Sequence, residues 1–269
     1  MGFNLEDFYD NKKLGDKETP NEKDHAWTYH YYKCVDCNEL PKQRLKAMDI
    51  MKKIMVAQLE TGIPYMFYRD TVNRDNPNKH AGMIYSSNLC TEVQQNQSPT
   101  EVVSETITTE DGEEIIIVKK KPGDFVVCNL SSLVLNNIIE KGLDNAKDLM
   151  NLEFVVKTVA RATDNVIDVN NLPVPQAVIT NNKYRSIGIG EQGIAALLAK
   201  LQIPFDSERA VEFVAKLNEY IMMFLVEASA DLAQEKGSYT AFEGSGWNTG
   251  EWFESKPRTL DGWDVAIEK

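Results

Sequence analysis

The chain has 269 residues, of which 42% are hydrophobic and 26% are charged, and it carries a net charge of -12 with a pI of about 4.8. This composition is typical of a globular protein with one large core or two modest ones. Contact with nucleic-acid phosphates needs clustered Lys and Arg, which an acidic chain of this kind does not favour. No apolar run approaches the roughly 20 residues of a membrane span. We therefore expect neither a nucleic-acid polymer nor a membrane as a partner.

Cysteine use and the first residues of the chain favour a cytoplasmic protein. The four cysteines, Cys34, Cys37, Cys90 and Cys128, are too few for a disulfide scaffold of this size. We expect thiols that stay free or are used chemically in a reducing compartment. The opening MGFNLEDFYDNKK also lacks the apolar segment of a secretory signal.

The first part of the chain predicts a polar arm followed by a helix. Residues 1–40 are polar and charged and predict an arm with little core, whereas residues 41–269 predict the folded domain. Between Pro41 and Gly62, apolar residues recur every three or four positions, which is the spacing of an amphipathic helix. The helix therefore opens the folded part of the chain.

Extended segments and a hairpin follow this helix. IPYMFYRDT and AGMIYSSNLC are rich in β-branched and aromatic residues and predict short extended segments. Two further β-rich arms flank Asp111 and Gly112, a favoured tight-turn pair. This pattern predicts an antiparallel hairpin over about residues 104–119.

The second half of the chain alternates strands with helices. DFVVCNLSSLVLNNII predicts a buried strand that reaches Cys128 and continues into a helix. NLEFVVKTVARATDNVIDVNN predicts an amphipathic helix that Pro173 and Pro175 stop. RSIGIG predicts a strand, EQGIAALLAKLQI a helix, and the segment from SERAVEF to AQEKG a long helix that Asp206 or Ser207 caps. The fold class is α/β with parallel pairing, interrupted by one antiparallel hairpin.

The segment GIGEQG, residues 188–193, matches the G-x-G-x-x-G pattern of dinucleotide-binding turns between a strand and a helix. The pattern lies late in the chain, and the next strand offers no acidic residue for a ribose. Asp206 precedes a helix instead. A tight turn packed closely on its neighbours explains these glycines without a ligand, and we favour that interpretation.

A zinc site near the N-terminus is a weaker alternative. CVDC supplies Cys34 and Cys37, and His25 and His30 precede it, so a His/His/Cys/Cys ligand set is arithmetically available. The histidine spacing is not a standard one, and a single C-x-x-C is a weak signal. Two ordinary thiols beside aromatic packing are the favoured interpretation, and His80, in a polar loop, is expected to be solvated.

The stretch IYSSNLCTEV collects a carboxamide, a thiol and a carboxylate at Asn88, Cys90 and Glu92. If this stretch is extended, alternate residues share a face, and the three groups lie on the same side. Such a face supports proton transfer beside a thiol. A second thiol, Cys128, precedes another polar patch, and two small buried cysteines are the structural alternative.

At these residues the chain resembles a known family. SSNLCTEV resembles the finger-loop motif Ser-Asn-Leu-Cys-x-Glu of the ribonucleotide reductase large subunit, at about residues 84–93. The resemblance continues in order from about Leu45 to Trp252. Its further segments are RLKAMDIMKKIMVAQLETGIPYMFYRDTVNR, VVCNLSSLVLNNI, ATDNVIDVNNLPVPQA, RSIGIGEQGIAALLAKLQIPFDSE and EASADLAQEKGSYTAFEGSGWNTGEW. The resemblance implies part of a ten-stranded α/β barrel with the hairpin as an insertion, and it makes GIGEQG a structural turn.

The resemblance also implies roles for single residues in the reduction of ribonucleotides to deoxyribonucleotides. Cys90 would hold the thiyl radical that removes the 3′ hydrogen, and Glu92 would accept the proton of the 3′ hydroxyl. Asn88 and Ser87, together with Glu92, would bind the ribose. Cys128 would be one of two thiols that reduce the 2′ position and end as a disulfide.

An incomplete enzyme is a further implication of the resemblance. In the family, the second reducing cysteine and the effector-binding elements lie upstream, and the phosphate loop, the radical-transfer tyrosines and the tail cysteines lie downstream. The chain shows no counterpart of them. We therefore expect a piece of a ribonucleoside-diphosphate reductase large subunit, inactive alone, as a split subunit, an exon product or a truncation. The alternative is a non-catalytic remnant or a regulatory binding module that keeps the barrel core.

The partners follow from the same resemblance. No cofactor is expected to bind this chain directly. The radical would come from a separate diiron or dimanganese subunit, with cobalamin as the less favoured source. A thioredoxin- or glutaredoxin-type reductant, the remaining parts of the large subunit and a ribonucleotide substrate complete the expected set.

Overall fold

A computed structural model of the chain describes residues 33–269, so most of the predicted arm lies outside the described residues. The chain forms two compact units, one that ends at Gln97 and one that spans Ser98–Lys269. Residues 33–40 are exposed or half-buried, and a short helical turn occupies residues 33–36. Among the helices described, none is long and apolar enough to cross a membrane.

Helix α1, Ala47–Thr61, is the longest regular element described in the first unit and confirms the helix predicted there. It ends where Gly62 adopts a φ of 77° and donates its N–H to the Gln58 carbonyl at 2.9 Å. This left-handed conformation favours glycine at a helix end. No α1 side chain is buried by the residues that the structure describes. Its exposed apolar residues are Met48, Ile50, Met51, Met55, Val56 and Leu59.

A second, short helix corrects the predicted extended segments. Helix α2, Arg69–Arg74, begins within IPYMFYRDT, because the Val72 N–H donates locally to the Tyr68 carbonyl at 3.0 Å. AGMIYSSNLC also forms no regular strand, and an isolated bridge joins Met83 to Gln97 instead. The prediction of short extended segments is therefore wrong for residues 69–71, which are helical, and neither segment forms a regular strand.

The predicted hairpin is confirmed in the second unit. Strands β1, Glu101–Thr108, and β2, Glu114–Lys121, pair in antiparallel fashion and extend slightly beyond the predicted range. Their turn is closed by the Thr109 N–H, which donates to the Glu113 carbonyl at 2.8 Å. Gly112 in this turn has a φ of 81°. Both strands are exposed along their whole length.

A parallel strand pair lies near the core of the second unit. Strand β3, Leu130–Val134, pairs with β4, Gly188–Gln192, and each runs directly towards a helix, α3 at Leu135–Ile138 and α6 at Ile194–Lys200. Within residues 33–269 the strands form two two-stranded sheets. The predicted parallel pairing is confirmed here, whereas the ten-stranded barrel stays a prediction.

Two long helices cover this strand pair. Helix α4, Ala146–Val169, and helix α7, Glu208–Lys236, confirm the two predicted long helices. Ser207 caps α7, since its hydroxyl accepts the Ala210 N–H at 3.1 Å. Apolar residues on both helices pack against β3, α3 and α6. The core includes Leu133, Leu135, Ile139, Leu152, Val156, Leu197, Leu217, Ile221 and Phe224.

The proline segment holds a helix that the sequence pattern does not reveal. Helix α4 ends at Val169, before Pro173, as predicted, but Pro175 is the first residue of helix α5, Pro175–Tyr184. Proline is favoured at the first helical position, because a backbone N–H at that position would have no partner within the helix and nothing is lost without it. Two short helices follow α7, namely α8 at Glu251–Glu254 and α9 at Trp263–Glu268.

Candidate active site

The loop that carries Cys90 is fixed at its start by a buried asparagine. The Asn73 side chain is 2% exposed and reaches from α2 to Ile84. Its Oδ1 accepts the Ile84 N–H at 3.0 Å, and its Nδ2 donates to the Ile84 carbonyl at 2.8 Å. A carboxamide has both a donor and an acceptor, so it pairs with a peptide group as a neighbouring strand would. Ile84 itself is buried, which anchors the start of the loop.

A glutamine closes the same loop at its far end. The Gln97 backbone N–H donates to the Met83 carbonyl at 2.8 Å. Its side chain accepts the Ser86 N–H at 3.0 Å and donates to the Ser86 carbonyl at 3.2 Å. Residues 87–96 therefore form a loop whose two ends are tied together by hydrogen bonds.

The tip of the loop is a turn, so the predicted extended face is wrong. The Thr91 N–H donates to the Asn88 carbonyl at 3.2 Å, and Thr91 has a φ of 71°. The chain folds back far enough for Asn88 Nδ2 to donate to Glu92 Oε1 at 2.6 Å. The turn therefore brings the carboxamide and the carboxylate into direct contact, which strand alternation alone does not predict.

Two further contacts hold the inner side of this turn. Asn88 Oδ1 accepts the Val93 N–H at 3.2 Å, so both ends of the Asn88 carboxamide are engaged. The Ser87 hydroxyl donates to the Val93 carbonyl at 2.7 Å and lies 3.2 Å from Asn88 Oδ1. Ser87, predicted as a substrate-binding residue, acts within the described part of the chain as a brace for Asn88.

Cys90 lies at the exposed apex of the turn as a free thiol. Its neighbour Leu89 is 82% exposed. Asn88 and Glu92 flank the thiol on both sides along the chain. The arrangement presents a thiol, a carboxamide and a carboxylate on one short turn.

The other predicted thiol, Cys128, belongs to the second unit, and its surroundings correct the prediction of a buried strand. Cys128 is exposed and precedes β3, which begins at Leu130. The next residue, Asn129, is buried, and its Nδ2 donates to Asn181 Oδ1 at 2.7 Å and to the Ser186 carbonyl at 3.0 Å. The backbone beside Cys128 is therefore fixed by a buried amide pair, while the thiol itself is accessible.

Comparison with known proteins assigns the family. The family model described as "Ribonucleotide reductase, barrel domain" matches residues 3–269. The chain belongs to the ribonucleotide reductase barrel-domain family. The resemblance seen in the sequence motifs is thereby confirmed over nearly the whole chain.

Curated relatives are subunits of the same family. The chain is 40% identical to the ribonucleoside-diphosphate reductase subunit alpha of Treponema pallidum, over 97% of this chain and 29% of that protein. It is 34% identical to the subunit alpha of Helicobacter pylori strain J99, over 85% of this chain and 34% of that protein. It is 35% identical to the large subunit of Variola virus, over 76% of this chain and 23% of that protein. The chain thus spans about a third or less of the length of these relatives.

In this ribonucleotide reductase barrel chain, GIGEQG is strand β4 followed by a tight turn at Gly193, and the predicted close packing of its glycines is confirmed. Gly193 precedes α6 with a φ of 82°, and a Cβ built there would lie 2.2 Å from Asn136 Oδ1. A Cβ at Gly188 would lie 2.5 Å from Leu130 Cδ2. Both glycines are therefore explained by close approach and backbone conformation.

The alternative zinc site falls partly outside the described residues. His25 and His30 lie in the undescribed segment, whereas Cys34 and Cys37 are half-buried free thiols. Between residues 33 and 269, no group of three or more His, Cys, Asp or Glu side chains is arranged to hold a metal ion. His80 is exposed, as predicted.

The sequence analysis does not predict the amide residues that support the Cys90 loop. Besides Asn73 and Gln97, the buried Asn76 donates through Nδ2 to Asn96 Oδ1 at 2.8 Å, and Asn96 Nδ2 donates to the Asn78 carbonyl at 2.8 Å. These residues lie in two stretches rich in Asn and Gln on either side of the motif. Their composition is typical of a solvated loop, so only their repetition around an apolar segment signals a role.

Proposed function

We propose that this chain forms part of the large subunit of a ribonucleotide reductase and supplies its radical-bearing cysteine. The proposal rests on the turn that carries Cys90. There the exposed thiol lies between Asn88 and Glu92, whose side chains are hydrogen-bonded to each other at 2.6 Å. Membership of the reductase barrel family supports this chemistry for the turn. In the proposed architecture the chain forms part of a ten-stranded α/β barrel, and β1 and β2 are an inserted hairpin.

The proposed chemistry at the turn uses three side chains. A thiyl radical on the sulfur of Cys90 removes the hydrogen atom from C3′ of the substrate ribose, which forms an S–H bond and leaves a carbon radical. Glu92 accepts the proton of the 3′ hydroxyl as a general base. The hydrogen bond between Asn88 and Glu92 orients the amide and the carboxylate together, so that both act on one ribose.

Cys128 supplies half of the reducing equivalents in this proposal. The 2′ hydroxyl leaves as water, and two thiols give up two electrons and end as a disulfide. Cys128 is one of these thiols, and a complementary chain provides the other. The accessible thiol beside a fixed backbone at Asn129 supports this role, since a partner sulfur needs an open approach to a defined position.

The proposed partners follow from membership of the reductase family. Complementary chains supply the rest of the subunit, and a separate diiron or dimanganese subunit supplies the radical, with cobalamin as the less favoured source. A thioredoxin- or glutaredoxin-type protein reduces the disulfide after each turnover. The substrate is a ribonucleotide, and the names of the relatives favour the diphosphate form.

Reconstitution tests this proposal. The tagged chain is expressed in its source cells, its co-purifying proteins are identified, and deoxyribonucleotide formation is measured with and without them. We expect chains of the same family to co-purify, turnover in their presence, and none by the purified single chain.

Two outcomes contradict the proposal. Turnover by the single chain alone would show that no complementary chain is needed. A stable lone monomer that recruits no reductase chain would instead support the alternative, a non-catalytic remnant or regulatory binding module.

A further inference from the structure

The β1–β2 hairpin has an outer edge whose sequence is complementary to itself. Strand β2 lies in the segment EEIIIVKKK, residues 113–121, with acidic residues first, apolar residues in the centre and basic residues last. Its central residues are exposed, and Ile116 is 66% exposed. Across residues 33–269, β2 pairs only with β1, which leaves one edge of β2 open. An open apolar edge is a template for pairing with another strand.

The hydrogen bonds of the turn show which groups point towards this open edge. The Thr109 N–H donates to the Glu113 carbonyl, and the Glu113 N–H donates to Thr109 Oγ1, so the peptide groups of residues 109 and 113 point towards each other. Such pairs alternate along an antiparallel ladder, which makes Glu105 and Ile117 a hydrogen-bonded pair as well. The peptide groups of residues 114, 116, 118 and 120 therefore point away from β1.

One antiparallel register satisfies both the backbone and the charges of two copies. If β2 meets β2 of a second copy with Ile117 on the two-fold axis, Ile116 lies opposite Val118 of the other copy. Glu114 then lies opposite Lys120, and the symmetry makes this ion pair twice. All of these pairs join residues whose peptide groups point outward, so the register also forms the hydrogen bonds of a continuous ladder.

The ion pairs within each hairpin leave Lys120 available for a contact with a second copy. Lys119 and Lys121 pair with Glu105 and Glu101 of β1 at 2.7 and 3.2 Å. Lys120 lies on the opposite face of β2 and has no ion-pair partner among the described residues. The other edge is less suited to the same pairing. A β1–β1 ladder centred on Val103 places Glu101 opposite Glu105, which is repulsive.

We propose that two copies of this chain associate through their β2 edges and form a four-stranded antiparallel sheet around a two-fold axis. The partner is a second copy, because the acidic start and basic end of β2 complement each other only when the strand runs antiparallel to itself. A single strand pair is a small interface, so the dimer is expected to be weak and concentration-dependent.

A charge-swap experiment with the 269-residue chain tests the pairing. Sedimentation velocity is measured over a concentration series for the unmodified chain, for Glu114→Lys, for Lys120→Glu and for an equimolar mixture of the two variants. Each single variant places like charges opposite each other twice, and we expect its dimer dissociation constant to rise about tenfold or more. In the mixture every pair is again Glu with Lys, and we expect dimerisation to return as a heterodimer.

The outcomes separate the proposal from other kinds of association. An unmodified chain that stays monomeric at all concentrations overturns the proposal. Single variants that dimerise as strongly as the unmodified chain overturn it as well, and so does a mixture of the two variants that does not dimerise. Growth of the mass beyond the dimer indicates head-to-tail pairing of β1 with β2 and overturns the symmetric arrangement. The measurement needs no turnover, so its failure is distinct from failure of the proposed reductase role.

A cross-linking experiment tests the register. In a chain whose four cysteines are replaced by serine, Ile117→Cys places two thiols across the two-fold axis at a non-hydrogen-bonded pair, a distance suited to a disulfide. Ile115→Cys is the matched control on the same face. In the proposed register, the cysteines at position 115 of the two chains lie about 13 Å apart along the strands. We expect oxidation to link the Ile117→Cys chains and to leave the Ile115→Cys chains as monomers. Equal or reversed cross-linking overturns the proposed register.

Discussion

Four amide side chains hold the loop that presents Cys90. Asn73 pairs with the Ile84 peptide, Gln97 pairs with the Ser86 peptide, and Asn76 and Asn96 bond to each other beside them. The three asparagines are buried, and buried amides are stable only when their donors and acceptors are satisfied. Their hydrogen bonds convert a polar loop into a fixed support for the thiol.

Replacement of Asn73 tests this support. Asn73→Ala leaves the N–H and the carbonyl of buried Ile84 without these side-chain partners, and we expect a loss of about 2–4 kcal/mol of unfolding free energy. Hydrogen exchange measured by mass spectrometry should show faster exchange in peptides that span residues 84–97.

The matched control for this change is Gln94→Ala, which removes an exposed amide from the same loop. We expect the control to keep the exchange rates of the unmodified chain. Equal protection of the loop in both variants would show that Asn73 does not support it.

At the residue scale, the sequence points to the candidate site groups but not to the residues that support them. Cys90, Glu92 and Asn88 stand out because a thiol, a carboxylate and an amide seldom share so short a stretch. Their contact depends on a turn in which Thr91 has a positive φ, a conformation that nothing in its residue type favours. Asn73 lies eleven residues before Ile84, so its pairing is a tertiary contact without a local signal.

At the scale of elements, the turn between β4 and α6 depends on a glycine for two separable reasons. Gly193 has a φ of 82° and also lies against Asn136, whereas Gly250 has a φ of 80° with no atom within 4 Å of an added Cβ. Both glycines precede a helix. The pair therefore distinguishes backbone strain from a steric clash.

We expect Gly193→Ala to destabilise the chain more than Gly250→Ala does. Both changes incur the cost of a left-handed residue, about 1 kcal/mol, and only the first adds a contact at 2.2 Å that must be relieved. Thermal unfolding of the two variants measures the difference. Equal melting temperatures would show that Asn136 moves aside without cost.

A charged cluster joins the ends of three helices and predicts a pH dependence. Hydrogen bonds from Arg185, followed by those from Lys236, lower the pKa of Asp168 from 3.8 to about 2. Because the pKa in the folded state lies below that of the unfolded chain, the stabilisation is present above about pH 4. It is lost as the pH falls from about 4 to about 2.

Replacement of the carboxylate tests this dependence. Asp168→Asn should reduce the slope of unfolding free energy against pH between about pH 2 and pH 4, as measured by urea denaturation at several pH values. The control, Asp144→Asn, removes a carboxylate whose side chain is almost fully exposed. An unchanged slope in Asp168→Asn would contradict the role of the cluster.

Elements with strong periodicity follow from the sequence, and short polar ones do not. Helices α1, α4 and α7 each repeat apolar residues over several turns, and the hairpin carries a clear turn pair. Helix α2 is six residues long and polar, so it has no apolar periodicity, and the buried Asn73 ties it to Ile84 instead. Helix α5 begins at a proline, which sequence reasoning treats as a stop although the first helical turn tolerates it.

At the scale of the whole molecule, the chain carries a site motif on a fraction of the length of its relatives. It matches the reductase barrel family over residues 3–269 but spans 29% of the Treponema pallidum protein. The apolar side chains of α1 are exposed among the residues that the structure describes. The proposed function is accordingly that of a part of the large subunit.

The most direct test of the central claim is replacement of the proposed radical cysteine in the reconstituted complex. Deoxyribonucleotide formation is compared for the complex with the unmodified chain, with Cys90→Ser and with Cys37→Ser, a matched change to a cysteine away from the turn. Size-exclusion chromatography checks that all three complexes assemble equally. The account predicts that Cys90→Ser abolishes turnover in an intact complex while Cys37→Ser retains it, and turnover by the Cys90→Ser complex would contradict the account.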